Sequence, residues 1–280
     1  MTHFFADDGE KLHLKISGGG PPLILLHGWT ASHQEWYPFL AELNRHHTVY
    51  RWDARGHGGH ALTSPAVPTI TRMARDLGNL LDHYAIDNAC VVGHSMGALT
   101  IWQYIQDSGC GRLGKVCFID QSPRLLTDRE WPHGIYGEFD EARAELFISA
   151  LEMDFAEAVL RLGAHGLNAR ARENYEANAL GWEKSRDWLR QLDPAPLIAC
   201  WKSLTEADYR EVLAHIRIPA LLIYGGESNF YRTETAYFVR DCIPQALLHI
   251  YEGTDHSPHQ WQRVRFVRDL LRFSAGVSLP

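Results

Sequence analysis

Residues 90–98 of the chain, which read Cys-Val-Val-Gly-His-Ser-Met-Gly-Ala, constrain its fold more than any other segment. An apolar run ends near Gly93, and a helical pattern over residues 96–106 begins directly after Ser95. A serine between two glycines at a sharp strand-to-helix turn projects its hydroxyl above the edge of a sheet, because small neighbours let the two backbones approach. The free N–H groups of the following helix can also hold a negatively charged oxygen. The segment therefore predicts that Ser95 is a nucleophile.

Short apolar runs, bounded by turn residues, recur along the chain and are typical of buried parallel strands. The runs are Leu23 to Leu26, Thr48 to Trp52, Cys90 to Val92, Val116 to Ile119, Ala220 to Tyr224 and Leu247 to Tyr251. The clearest helical patterns are Thr71 to Tyr84, Met96 to Gln106 and His259 to Phe273. Because strands alternate with helices, the sequence predicts an α/β protein whose mostly parallel, doubly wound sheet is covered on both faces.

The alternation stops between about residues 123 and 215, where no strand is predicted. This stretch carries helical patterns over Ala142 to Met153, Phe155 to Leu162 and Arg170 to Ala179, and it contains Trp131, Trp182, Trp188 and Trp201. It is too long to be one connection between neighbouring elements. We therefore expect a helical insertion that lies over the carboxyl edge of the sheet.

The G-x-S-x-G motif in its strand–helix setting resembles the nucleophile turn of the α/β-hydrolase family, and the likeness extends over about residues 12–273. Residues 27–29, His-Gly-Trp, follow the first apolar run and resemble the H-G-aromatic loop of that family. The resemblance implies that the backbone N–H groups of Trp29 and Met96 form an oxyanion hole. Removal of one such donor typically costs about 2.7–4 kcal/mol of transition-state stabilisation.

Two further segments carry the resemblance. Residues 53–58 read Asp-Ala-Arg-Gly-His-Gly and resemble the D-x-R-G-x-G turn of the family, which implies a structural role for Asp53, Arg55 and His57. The helical stretch stands where the family has its lid. The resemblance therefore implies an α/β-hydrolase core of residues 1–122 and 216–280, with a helical lid of residues 123–215 inserted after the sixth strand.

Position rather than residue type identifies the base, because the chain has sixteen histidines. In this fold the chain order is serine, acid, histidine. His256 follows the last apolar run and precedes the closing helical pattern, as the catalytic histidine of the family does. His259 begins the helix, and the side chain of His94 is expected to diverge from that of Ser95. We therefore predict that His256 is the base.

The sequence leaves the acid of the triad open. Most family members carry an aspartate after the next-to-last strand, in a pattern like G-x-x-D, but this chain has Asn229 there. An asparagine carries no charge with which to stabilise an imidazolium. The preferred candidate is Asp120, which ends the strand at 116–119, because certain lipases, dehalogenases and cofactor-free dioxygenases of the family take their acid from this place. The alternatives are Glu227 and Asn229 itself as a neutral partner.

The motif predicts acyl transfer in two steps, with Ser95 as nucleophile and His256 as proton carrier. The Trp, Phe and Leu content of the helical stretch favours an ester, thioester or lactone with a hydrophobic acyl or aromatic part. Trp131, Tyr136 and Trp201 are candidate pocket residues, although each would equally suit the core of the helical stretch itself.

Two other functions are compatible with the same residues, since fold does not fix function. A cofactor-free dioxygenase that opens a heteroaromatic, quinolone-like ring would use His256 with Asp120 and would tolerate Ser95→Ala. A non-catalytic binding protein on this scaffold would be indicated by loss of the serine or the histidine, and the chain has both. We therefore expect a serine hydrolase.

Charge, hydropathy and ligand spacing exclude other classes. The net charge of −7 does not favour nucleic acid or anionic lipid. No apolar run approaches the roughly 18 residues that span a bilayer, and the start of the sequence lacks a signal-peptide pattern. The histidines and five cysteines show no compact metal-binding spacing. We expect a cytoplasmic enzyme with a small hydrophobic substrate, reduced cysteines and neither a metal nor an organic cofactor; oligomeric state leaves no sequence signal.

Overall fold

Eight strands form one sheet in the computed structural model, which describes residues 2–277. The strands are β1 (Thr2–Phe5), β2 (Lys11–Gly18), β3 (Pro22–Leu26), β4 (Thr48–Asp53), β5 (Ala89–His94), β6 (Leu113–Ile119), β7 (Ala220–Gly225) and β8 (Ala246–Tyr251). Their order across the sheet is β1-β2-β4-β3-β5-β6-β7-β8. The pairings of β1 with β2 and of β2 with β4 are antiparallel, and the others are parallel. The predicted mostly parallel α/β sheet is therefore confirmed.

The sequence patterns located the six parallel strands and omitted β1 and β2. Phe4, Leu12 and Leu14 are buried, while the residues beside them are half-buried or exposed. An antiparallel strand of this kind shows alternation rather than a continuous apolar run. A search for apolar runs therefore misses the antiparallel edge of the sheet.

Helices occupy most of the remaining chain. The α-helices are α1 (Leu40–Leu43), α2 (Ile70–His83), α3 (Met96–Ser108), α4 (Glu141–Met153), α5 (Phe155–Ala164), α6 (Ala169–Glu176), α7 (Leu180–Leu189), α8 (Pro194–Glu206), α9 (Arg210–Leu213), α10 (Thr233–Cys242), α11 (Pro258–Trp261) and α12 (Arg263–Ala275). Two 3-10 helices cover His33–Phe39 and Ile135–Gly137. The predicted closing helix over residues 259–273 is interrupted at Gln262, whose φ and ψ of −109° and 57° are not helical. No helix in the described part of the chain is long and apolar enough to cross a membrane.

Alternate residues of the central strands supply two separate hydrophobic cores. Val91 of β5 packs with Leu77 of α2 and Trp102 of α3 on one face of the sheet, whereas Val92 packs with Phe266 of α12 on the other. This division follows from the two-residue repeat of a strand. Because both faces are covered, β5 and β7 are buried along their whole length and appear in the sequence as continuous apolar runs.

Six helices, α4 to α9, lie between β6 and β7. Apart from a single bridge between Arg124 and Asp208, no strand pairing is assigned to this part of the described chain. Four of these helices begin where a short polar side chain accepts a hydrogen bond from a following backbone N–H, which is the usual helix N-cap. These caps are Asp140, Asp154, Asn168 and Asp193. Side chains of α5 and α8 line a cavity together with Ser95, at the carboxyl end of β5.

Candidate active site

Ser95 occupies a strained turn between β5 and α3. Its φ of 52° and ψ of −117° are unusual for a residue with a side chain, and such strain occurs most often at functional sites. The flanking glycines are required: a Cβ on Gly93 would lie 2.4 Å from the carbonyl carbon of Gly97, and a Cβ on Gly97 would lie 2.4 Å from the Leu26 oxygen. The turn therefore holds the half-buried Ser95 at the carboxyl end of β5.

His256 lies in the loop between β8 and α11, and its Nδ1 is 2.6 Å from Oδ2 of Asp120. Asp120 follows β6, has no exposed surface and also accepts hydrogen bonds from Gly225 N at 3.0 Å and Ser228 Oγ at 2.6 Å. The structure therefore pairs His256 with Asp120, the preferred candidate for the acid.

Burial governs the charge of His256. It disfavours the imidazolium and lowers the pKa of His256 from its ordinary value, and the Asp120 carboxylate opposes this effect without overcoming it. A neutral ring that donates its Nδ1 proton to Asp120 carries its lone pair on Nε2. His256 is thereby prepared to accept a proton at neutral pH.

Ser95 and His256 line the same cavity. Among the hydrogen bonds of the described residues, none joins the Ser95 hydroxyl to His256. Ser95 and His256 are therefore neighbours in this structure, but the hydrogen bond that the sequence predicts between them is not formed.

The two alternative acids are placed elsewhere. The Glu227 side chain is 49% exposed and lies 3.8 Å from Arg170, so it does not contact His256. Asn229 is buried; its Oδ1 accepts from the backbone N–H of His256 at 3.2 Å, and its Nδ2 donates to the Gly163 carbonyl at 2.8 Å. Asn229 therefore holds the main chain of His256, whereas Asp120 contacts the imidazole.

The backbone N–H groups of Trp29 and Met96 have no hydrogen-bond acceptor among the described residues. Met96 is the first residue of α3, where an N–H has no partner within the helix. The Trp29 indole donates to the Leu197 carbonyl at 3.0 Å and packs against Trp201, so the loop is fixed while its N–H stays available. The two groups expected to form the oxyanion hole are thus free to donate.

The cavity beside Ser95 has a volume of about 560 Å³ and is lined mainly by apolar side chains. From the helical segment these are Leu125, Ile135, Val159, Leu162, Trp188, Trp201 and Leu204. Small-molecule sites generally have this size and combine apolar walls with a few polar groups. Gln121, Phe230 and Tyr231 also line it, and no sequence motif marks them.

Of the three aromatic residues predicted for the pocket, Trp201 lines it and the other two do not. Trp131 is buried, donates its indole N–H to the Arg124 carbonyl and packs edge-on against Phe238. Tyr136 donates its hydroxyl to the Leu162 carbonyl. The predictions for Trp131 and Tyr136 are therefore corrected, because both side chains pack within the protein.

Other histidines near the site have structural contacts. His27 is buried, and its Nε2 accepts from the backbone N–H of Ala54 at 3.0 Å. Asp53 accepts from His33 and His60, and Arg55 is paired with Asp8 and Asp76. None of residues 53–58 lines the cavity with Ser95.

Glu35, His94 and His259 form a largely buried cluster next to Ser95, and Glu35 and His94 line the cavity with it. Their ligand atoms lie within 4.8 Å of one another, a spacing that would suit one metal ion. The Glu35 carboxylate, however, already accepts hydrogen bonds from Gly28 N at 3.0 Å and His259 Nε2 at 2.9 Å, and lies 2.7 Å from His94 Nδ1. We therefore interpret the cluster as a hydrogen-bonded network around Glu35, which sequence patterns did not reveal.

Comparisons with known proteins identify the family and the fold of the chain. A model described as the alpha/beta hydrolase family matches residues 23–269. The pimeloyl-[acyl-carrier protein] methyl ester esterase of Vibrio vulnificus is 26% identical over 263 residues, which cover 94% of this chain and 98% of that protein. The non-heme haloperoxidase of Rhodococcus erythropolis is 27% identical, with 98% and 99% covered.

Solved structures show the same fold. The esterase of Exiguobacterium antarcticum superposes with a TM-score of 0.84 and covers 98% of this chain and 99% of its own, at 19% identity. The bromoperoxidase of Bacillus anthracis also has a TM-score of 0.84, at 24% identity, and covers 97% and 99%. At these identities the likeness is one of fold alone.

Proposed function

We propose that this chain, which belongs to the alpha/beta hydrolase family, is a serine esterase with Ser95, His256 and Asp120 as its triad. The observation that carries the proposal is the 2.6 Å contact between His256 and Asp120 beside the cavity that Ser95 lines. Relatives named as methyl ester esterases support ester hydrolysis as the reaction.

Catalysis would proceed through an acyl-enzyme. Nε2 of His256 takes the proton of the Ser95 hydroxyl, and the oxygen attacks the substrate carbonyl carbon. The resulting oxyanion accepts hydrogen bonds from the N–H groups of Trp29 and Met96. The imidazolium gives its proton to the leaving alcohol, and water activated by His256 then releases the acid. The Ser95–His256 hydrogen bond forms in the substrate complex, because catalytic hydrogen bonds often tighten only there.

The substrate would be a small ester, thioester or lactone with a hydrophobic acyl or aromatic part. The support is the apolar wall that Leu162, Trp201 and Leu204 give to a cavity of about 560 Å³. In this proposal residues 123–215 act as a lid on a core of residues 1–122 and 216–280. The lid then determines which acyl or aromatic groups are accepted.

The test is a panel of p-nitrophenyl esters of increasing acyl length, assayed with wild-type protein, Ser95→Ala and Ser149→Ala. Ser149 is an exposed serine of α4 whose hydroxyl donates to the Glu145 carbonyl, so its loss leaves the site intact. We expect Ser95→Ala to abolish turnover and labelling by a fluorophosphonate probe, and Ser149→Ala to retain both. Wild-type protein that the probe does not label, or Ser95→Ala with near-normal turnover, would contradict the proposal.

A second candidate is cofactor-free dioxygenation of a heteroaromatic ring. The observation in its favour is that His256 is bonded to an acid after β6 while Ser95 is not bonded to His256. Such an enzyme would use His256 to deprotonate the substrate and would consume oxygen. Oxygen uptake by Ser95→Ala on addition of a quinolone would favour this candidate over the esterase.

A further inference from the structure

One buried carboxylate contacts all three loops that surround the proposed nucleophile. Glu35, in the 3-10 helix at 33–39, accepts from the N–H of Gly28, which precedes the oxyanion donor Trp29. It accepts from His259, three residues after the base, and lies 2.7 Å from Nδ1 of His94, which precedes Ser95. The Glu35 side chain is only 9% exposed. Glu35 therefore joins the oxyanion loop, the nucleophile turn and the loop of the base.

His94 faces a hydrogen-bond acceptor at each ring nitrogen. Its Nε2 is 3.0 Å from the carbonyl oxygen of His256, and its Nδ1 is 2.7 Å from Oε1 of Glu35. The Nδ1 contact is short but not aligned as a hydrogen bond, and it is an ion pair when the ring is protonated. A carbonyl and an ionised carboxylate can only accept. An imidazole between two such groups is satisfied at both nitrogens only when it carries two protons.

The groups around His94 support this charge state. Burial alone would raise the pKa of Glu35, but the neighbouring His94 and His259 hold it well below its ordinary value. Burial disfavours the charge on His94, yet Glu35 more than offsets it and raises the pKa of His94. The other titratable groups that face His94 are His256, His259 and Asp120. Burial lowers the pKa of His259 to about 4, so that ring is neutral and donates to Glu35.

We propose that Glu35 and His94 form a buried ion pair that positions the catalytic loops, with Glu35 holding the oxyanion loop through Gly28 and charged His94 holding the main chain of His256. Both residues line the cavity with Ser95, but their polar atoms contact Gly28, His256 and His259 of the protein, so we assign them a positioning role. The ion pair has an electrostatic consequence as well. The centroids of the His94 and His256 rings are 4.9 Å apart, so the positive charge of His94 disfavours protonation of the base.

This inference rests on the proposed esterase function, and its test compares Glu35→Gln and His94→Gln with Glu10→Gln. Glu10 is a matched control: it is also a carboxylate with little exposed surface, and it accepts from backbone N–H groups of Thr63 and Ser64, away from the cavity. In Glu35→Gln and His94→Gln we expect kcat to fall about 10²-fold with KM nearly unchanged, as for small misplacements of reacting groups. Because both variants lose the positive charge of His94, the base His256 is protonated more readily. The acid limb in the pH profile of kcat/KM therefore moves up by about one pH unit.

If Glu35 and His94 had a purely structural role, their variants would have a lower folded fraction, and the acid limb of kcat/KM would be at the same pH as in Glu10→Gln. The proposal would be overturned if Glu35→Gln had the same kcat as Glu10→Gln and the same acid limb in its pH profile of kcat/KM. It would also be overturned by activity that a chelator removes and Zn²⁺ restores, because the cluster would then be a metal site.

A second measurement does not depend on catalysis. The ¹⁵N shifts of wild-type histidines, with His94 assigned by the signals missing in His94→Gln, report how many protons each ring carries. We expect His94 to be doubly protonated at pH 7, and a singly protonated His94 would refute the ion pair. Fluorophosphonate labelling of wild-type Ser95 tests the esterase function separately, so failure of one proposal is distinguishable from failure of the other.

Discussion

Replacement of Asp120 by asparagine tests the most specific feature of the site. The Asp120 carboxylate lies between three donors, and the one on His256 Nδ1 at 2.6 Å fixes the tautomer whose Nε2 can accept a proton. An asparagine of the same shape has one oxygen and one NH₂ group. Its oxygen can still accept from the backbone N–H of Gly225, which leaves the NH₂ facing the imidazole. His256 then accepts at Nδ1 and carries its proton on Nε2, which is the wrong form for a base.

The expected loss follows from that change of tautomer. An isosteric substitution of this kind in a serine protease lowers turnover about 10⁴-fold while geometry is retained, which corresponds to about 5.4 kcal/mol of transition-state stabilisation. We expect Asp120→Asn to show a loss of that order in kcat for a p-nitrophenyl ester. Glu227→Gln is the matched control, because Glu227 is half-exposed and contacts Arg170 rather than His256; its kcat should stay within about twofold.

Two outcomes would refute the reasoning. If Asp120→Asn retained more than a tenth of wild-type turnover, the carboxylate would not orient the base. If Glu227→Gln lost turnover instead, Glu227 would be the acid and its solvent-facing position would have to change on substrate binding. Urea denaturation of both variants separates a catalytic loss from unfolding.

Two further predictions concern His256 and its loop. Because burial lowers the pKa of His256 below its usual value of about 6.5, activity that needs the neutral ring is present above that pH and is lost only below it; a profile of kcat/KM with an acid limb above pH 7 would contradict this. In Asn229→Asp a carboxylate would face the Gly163 carbonyl, so we expect a loss of about 1–3 kcal/mol in the free energy of unfolding and no gain in kcat; a more stable or faster variant in urea denaturation and ester assays would contradict it.

The sequence predicted the parts of the site that depend on local chain geometry. Gly93, Ser95 and Gly97 are close in sequence because the turn they form spans only a few residues, and a Cβ on either glycine would clash. The central strands were equally predictable, since burial on both faces demands continuous apolar runs. Such features leave a signature that one sequence is enough to reveal.

The sequence could not identify the acid, because the answer depends on strand register. Asp120 lies beside β7 because Ile119 pairs with Ile223, and this brings Gly225 N within 3.0 Å of the carboxylate. The contact with His256 spans 136 residues, and no spacing rule predicts it. For the same reason Glu35 carried no signal, as its partners come from three distant segments.

Asn229, which stands where relatives of this fold usually have the acid, serves a purpose that an aspartate cannot. Its side chain accepts from the main chain of His256 and donates to Gly163 near the end of α5, so it needs both an acceptor and a donor. A carboxylate offers acceptors only. Because Asp120 bonds the imidazole, residue 229 does not need a negative charge. Its amide instead links the loop of His256 to α5, whose side chains line the cavity.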